Sequence, residues 1–232
     1  YHCLVVSMEK YQSINILYED NHLLVVVKPK NIPVCPDSSC DKDLLTILKQ
    51  YIKDKYQKPG NVYLGLIHRL DRPVSGIMVF AKTSKCAERL TRQIKENKFN
   101  KTYYAITEGT LKNKDTLTDY LVKDESTNTS HITSPNHGKL STLTYELIST
   151  KNNLNLVKIH LETGRHHQIR VQFSSRGNYL YGDHRYNPHV KKDDKSNIAL
   201  IAKELSFYHP TTLELLTFSI PLPNTYPWSL FS

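Results

Sequence analysis

The sequence predicts an α+β fold in which a mixed, mainly antiparallel central sheet is flanked by helices and loops. Strand-like segments outnumber helical ones, and they follow no strict strand-helix alternation of the kind a doubly wound parallel sheet needs. With 232 residues, 39% of them apolar and no internal repeat, the chain suits one large domain or two small ones and can bury a core without covalent staples. The expected division is an N-terminal extension over residues 1–15 and one folded domain over residues 16–232.

Between Ile16 and Lys30, the run Leu23-Leu24-Val25-Val26-Val27 before Lys28-Pro29 reads as a buried strand ended by proline. From Asp41 to Tyr56, Leu44, Leu45, Leu48, Tyr51, Ile52 and Tyr56 recur at three- and four-residue steps behind an acidic start, which predicts an amphipathic helix. Ile77 to Lys82 is the next strand. Thr83 or Ser84 then caps a helix with Ala87, Leu90 and Ile94 on one face. Thr102 to Glu108 and the alternating Leu143, Tyr145 and Leu147 predict strands, whereas the polar stretch Asp115 to Lys139 reads as loop-rich. Asn155 to Glu162 alternates again, and Gln168 to Ser175 predicts a short helix stopped by Gly177. Leu200 to Phe207 and Thr212 to Ile220 are the last strands, and the mixed-sign run Lys191 to Lys195 is a solvated surface segment.

Lys and Arg number 31 against 22 acidic residues, a formal charge of +9, which fits either a polyanionic partner or a surface that keeps the protein soluble. Cys3, Cys35, Cys40 and Cys86 show no close pairing, so reduced thiols and a cytoplasmic setting are expected. No second ligand pair stands at a metal-site spacing from Cys35 and Cys40, so no zinc site is expected. No apolar run approaches the roughly 20 residues that cross a bilayer, so no membrane partner is expected. The sequence starts at Tyr1, and a leading or targeting segment can precede it.

The chemistry centres on His68-Arg69-Leu70-Asp71-Arg72-Pro73-Val74-Ser75-Gly76, where an acid stands in a turn that feeds a buried strand. On these nine residues alone, Asp71 is equally well a turn cap or the partner of Arg69 or Arg72. Arg165 adds a cation able to keep a carboxylate ionised, and Tyr103-Tyr104 adds a ring on which a base can stack. Either tyrosine is also an ordinary strand residue. His166 and His167, at a helix start, suit capping or phosphate contact better than metal binding, and Arg69, Arg72 and Arg170 are RNA contacts or plain surface charges.

These segments resemble the RluA-type pseudouridine synthases. His68 to Gly76 follows that family's His-Arg-Leu-Asp-x-x-Thr-Ser-Gly motif. Lys101-Thr102-Tyr103-Tyr104-Ala105, Thr163 to Arg170 followed by Gly182-Asp183, Leu205-Ser206-Phe207 with His209-Pro210, and Pro221-Leu222-Pro223 are similar too. The resemblance runs from about Ile16 to Pro223, without an evident N-terminal RNA-binding domain. It implies the pseudouridine synthase fold and the isomerisation of uridine in ribosomal or transfer RNA by base flipping, with no cofactor and no metal. It also implies Asp71 as catalytic nucleophile or base, Tyr103 as active-site tyrosine, Arg165 as the basic residue paired with the aspartate, and Arg69 as an RNA contact. Packing on the base is expected from Tyr103 and Ile169, and further RNA contacts from Arg72, His166, His167 and Arg170. The chain departs from the pattern at Val74, where threonine is usual, and at Ile201, where histidine is frequent. A non-catalytic RNA-binding module and a nucleoside hydrolase are the competing readings. The first requires loss of Asp71 or its partner, and the second a carboxylate pair or an acidic calcium cluster. A monomer is the expected state.

Overall fold

The computed structural model describes residues 14–232, so most of the expected N-terminal extension, and Cys3 with it, lies outside the described residues. Two compact units are formed. One comprises the described chain up to Phe99 together with Glu204–Ile220, and the other comprises Asn100–Lys203 with Pro221–Ser232.

The first unit begins with an antiparallel pair, β1 (Asn15–Glu19) and β2 (Leu23–Lys28). Four consecutive residues, Leu23 to Val26, are fully buried, the pattern of a strand covered on both faces. The helix α1 (Leu44–Lys55) follows, its first turn capped by Asp43, whose carboxylate accepts from the Thr46 N–H at 2.9 Å. Leu44, Leu48 and Ile52 are its buried stripe. The short β3 (Gly65–Leu66) and β4 (Ser75–Ala81) pair antiparallel, and β4 also pairs with β2, which places the Asp71 turn at the entrance to a central strand. Thr83 caps α2 (Ser84–Lys95), accepting from the Cys86 N–H at 3.2 Å. The buried face of α2 is Cys86, Leu90 and Gln93, with Ala87 and Ile94 at its margins. Gln93 is turned inward because its carboxamide completes the backbone of Tyr208, donating to the carbonyl at 2.7 Å and accepting from the N–H at 2.8 Å.

The second unit is built on an antiparallel sheet of β5 (Asn100–Glu108), β6 (Lys114–Asp124), β7 (Thr129–Thr133), β8 (Lys139–Lys151) and β9 (Leu154–Leu161) in the order β5-β9-β8-β6-β7. The region expected to be loop-rich is therefore a hairpin. Its alternation was masked because the outward positions are Thr, Asp and Lys, while only Leu117, Leu121 and Ser130 are buried. The helix α3 (Gln168–Ser174) lays Ile169 and Phe173 inward, Phe173 meeting Tyr145 at 5.4 Å between ring centres. Gly177, at φ 75°, turns the chain out of α3 through the left-handed region. The chain leaves this unit along β10 (Leu200–Tyr208), whose later residues pair antiparallel with β11 (Leu215–Ser219). The fold is α+β, with a mixed sheet and, among the described residues, three α-helices, in agreement with the sequence prediction.

Candidate active site

Asp71 stands on the turn between β3 and β4, half-buried, with its carbonyl accepting from the Val74 N–H at 3.0 Å. Leu70 and Val74 on either side are buried and anchor the turn. His68 supports it further, because its Nε2 accepts from the Val79 N–H at 3.1 Å and its ring packs edge-on against Phe99. Val74, the departure from the motif, fills an apolar site at 2% exposure, where a hydroxyl would need its own partner.

A residue the sequence reading passed over holds the turn from below. Lys28, read only as the end of β2, is fully buried, and its Nζ donates to the carbonyls of Pro29 at 2.9 Å, Arg72 at 2.9 Å and Val74 at 2.7 Å. Three acceptors match the three protons of an ammonium, so the turn is shaped around a charged lysine. Burial pushes its pKa down to about 7, opposed by the Asp71 carboxylate and reinforced by the Arg72 guanidinium. The available signal was a lysine inside an apolar strand run, a position where an uncompensated charge is costly.

Arg69 is exposed on this turn. Arg72, expected at RNA, is exposed but tied to acids of the same unit: it forms ion pairs with Asp41 and, at 3.6 Å, with Asp37, and donates to Ser39 Oγ at 2.9 Å.

The remaining candidates lie in the second unit. Tyr103 is buried on β5 opposite Ile159 of β9, while Tyr104 faces the other way beneath the Lys203 ammonium, 5.4 Å from its ring centre. Arg165 follows the end of β9 on a loop organised by one carboxamide. Gln168 Oε1 accepts from Thr163 Oγ1 at 2.8 Å and the Arg165 N–H at 3.0 Å, and its Nε2 donates to the Thr142 carbonyl at 3.1 Å. The Arg165 side chain is exposed, with Nε donating to the Leu140 carbonyl at 3.0 Å.

His166 and His167 stack at 3.7 Å between ring centres. His166 Nδ1 is hydrogen-bonded to Ser130 Oγ at 2.8 Å, and His167 Nδ1 to the Tyr186 hydroxyl at 2.7 Å. Burial, helped by Lys123 at His166 and by Arg170 at both rings, lowers their pKa values to about 4 and about 2, so both are neutral near pH 7. His167 precedes α3 in a left-handed conformation at φ 54° and makes no side-chain cap. Arg170 is 5% exposed and bidentate to Asp183, at 2.9 Å through Nε and 2.7 Å through Nη2, with the Tyr186 ring under its guanidinium at 5.0 Å. Its ion pair with Asp183 is an interior support of this unit. Ile169 is buried on α3.

Among the described residues no group of three His, Cys, Asp or Glu side chains is placed to hold a metal ion. No helix of the described residues is long and apolar enough to cross a membrane.

Residues 22–175 match the family model of RNA pseudouridylate synthases. An RNA pseudouridine synthase of Bacillus subtilis (strain 168), described as uncharacterized, is 35% identical over 218 residues, covering 92% of this chain and 70% of the relative. Ribosomal large subunit pseudouridine synthase D of Zymomonas mobilis is 32% identical over 221 residues, covering 91% and 70%. Among solved structures, human RNA pseudouridylate synthase domain containing 4 superposes with a TM-score of 0.78 at 22% identity, over 98% of this chain and 95% of that one, a likeness of fold. With the motif turn at Asp71, the antiparallel sheet of the second unit and a family match over most of its length, the chain belongs to the RNA pseudouridine synthases, isomerases that act on RNA.

Proposed function

We propose that the protein converts specific uridines of structured RNA to pseudouridine through a flipped-out nucleotide, and that residues 16–232 act as one catalytic domain. The observation that carries this reading is the Asp71 turn, a half-buried carboxylate on a backbone held by the three hydrogen bonds of Lys28. A rigid support of that kind keeps a reacting group in place without spending binding energy on ordering it.

Asp71, ionised, opens the reaction by attacking the ribose carbon or by removing a ribose proton, and the C1′–N1 bond breaks with its electron pair passing to the uracil. The uracil turns over and rejoins through C5, whose proton then leaves, so the product is an isomer and no redox partner or external energy enters. Tyr103 packs on the uracil together with Ile169 and assists removal of the C5 proton. Arg165 supplies the positive charge that keeps the carboxylate ionised. Arg69, exposed beside Asp71, contacts RNA near the extruded nucleotide, while Arg72, His166, His167 and Arg170 contribute through the loops they brace.

Ribosomal RNA is the favoured substrate class, supported by relatives named ribosomal large subunit pseudouridine synthases D and C. The protein acts as a monomer in the cytoplasm and uses no cofactor. Pseudouridine mapping of ribosomal and transfer RNA from cells with and without the gene tests the reading. Sites lost from ribosomal RNA support it, sites lost only from transfer RNA transfer the substrate assignment, and no lost site overturns it.

A further inference from the structure

Lys101 is the second residue of β5, two residues before Tyr103 and on the same face of the strand, since side chains alternate with period two. Thr102 pairs with His160 of β9, so Lys101 lies where β9 ends and the chain turns into the Gly164-Arg165 loop. Its side chain folds under that loop. A Cβ placed on Gly164 would stand 3.1 Å from the Lys101 Nζ, so the ammonium lies close against the bare backbone of Gly164.

Among the described residues, three other inward-turned cations have acceptors. Lys28 has three carbonyls, Lys82 has Glu19 and the Asp20 carbonyl, and Arg170 has Asp183. Lys101 differs: it is half-buried, and among the described residues no hydrogen bond or ion pair reaches its Nζ. Burial alone lowers its pKa, with no carboxylate close enough to oppose it. A cation left partly desolvated gains most from a ligand that brings a permanent negative charge. The exposed Arg165 on the same loop adds to the positive field there, and RNA carries such a charge on every nucleotide.

We propose that Lys101 is a phosphate subsite, taking the backbone phosphate beside the nucleotide that Tyr103 receives. The assignment rests on the reading of Tyr103 as the uracil-packing residue. Gly164 is part of the subsite, because its bare backbone leaves room for the ammonium.

The test is RNA binding by the full chain at a series of KCl concentrations, using a uridine-bearing RNA hairpin, for the parent, Lys101→Met, Lys101→Gln, Lys101→Arg and Gly164→Ala. Lys101→Met is expected to weaken Kd about tenfold at low salt and to reduce the slope of log affinity against log salt by about one phosphate equivalent. Lys101→Arg is expected to keep the slope. Gly164→Ala, which crowds the ammonium without removing it, is expected to weaken Kd in the same direction by a smaller factor, and Lys101→Gln, which removes the charge but keeps a polar end, keeps the idea testable if Lys101→Met fails to fold. An unchanged slope in Lys101→Met overturns the subsite. So does a fall in the saturating single-turnover rate at unchanged Kd, which would place Lys101 at the uracil instead. Binding is read without turnover, so a parent protein that forms no pseudouridine would defeat the catalytic reading and leave the phosphate subsite to be judged by its slope.

Discussion

Under the Asp71 turn, one ammonium from Lys28 gives its three protons to backbone carbonyls, with no carboxylate among those three acceptors. Behind the Arg165 loop, the Arg170 guanidinium is closed by both oxygens of Asp183, and two neutral histidines complete the packing through Ser130 and Tyr186. Both arrangements bury a cation beneath a loop that carries a candidate site residue. The first depends on a group that titrates near neutrality, whereas a guanidinium keeps its charge at any pH the fold survives. The two loops should therefore respond differently to mutation and to pH.

The largest effect is expected at the turn itself. Asp71→Asn should lower pseudouridine formation by about 10⁴-fold or more while RNA affinity is retained, because an amide neither attacks nor accepts the proton. Measurable turnover in single-turnover assays would remove Asp71 from the chemistry. Next, Arg170→Met leaves Asp183 buried and unpaired and should cost about 3–5 kcal/mol in urea denaturation. Lys28→Met leaves three acceptors without their donor but also removes a desolvated charge, so the expected loss is smaller, about 2 kcal/mol.

The pH response sharpens the contrast. Lys28 has its pKa lowered from 10.5 to about 7, so the stability linked to it is fully present only above 10.5 and is lost as pH falls through about 7. The difference in stability between the parent and Lys28→Met should therefore vary between pH 7 and pH 10, and a constant difference would refute the shift. His166 and His167 are lowered from 6.5 to about 4 and about 2, so their contribution holds above 6.5 and fades as pH falls through about 4. In the first unit, Glu19 is opposed by burial but lowered to about 2 by hydrogen bonds from Lys55, Tyr56, Tyr51 and Lys82, so its contribution holds down to about 4.5. Hydrogen exchange followed down the acid range should show amides of α3 and β7 opening before those of β1 and α1. The smallest effect is expected for Arg72→Gln, whose partners Asp37 and Asp41 are exposed, and an unchanged melting temperature is the anticipated result.

Several of these features were readable from residue order. The α1 and α2 stripes, the Thr83 cap and the apolar β2 and β4 follow from local periodicity, and each was legible for that reason. The β6–β7 hairpin was not, because its polar positions resemble a loop until a partner strand covers Leu117 and Leu121. β1 was missed similarly, its residues being only partly buried. Asp71, Tyr103 and Arg165 could be singled out because each sits in a short motif whose residues are neighbours in the chain.

The sequence by itself determined the fold class, the strands with strong alternation and the family motif at the Asp71 turn, since local propensity and motif order are properties of adjacent residues. Only the tertiary structure decided how each cation is paired. Arg170 and Arg72 read alike as basic residues near special loops, yet one is buried against Asp183 and the other is held by surface acids. Lys28 and Lys101 also read alike, as lysines at strand ends, yet one is enclosed by three carbonyls and the other is left without an acceptor among the described residues. The physical reason is that desolvation and charge pairing depend on groups brought close by folding from distant positions: Lys28 meets carbonyls some 45 residues away, and Lys101 lies against a glycine more than 60 residues on.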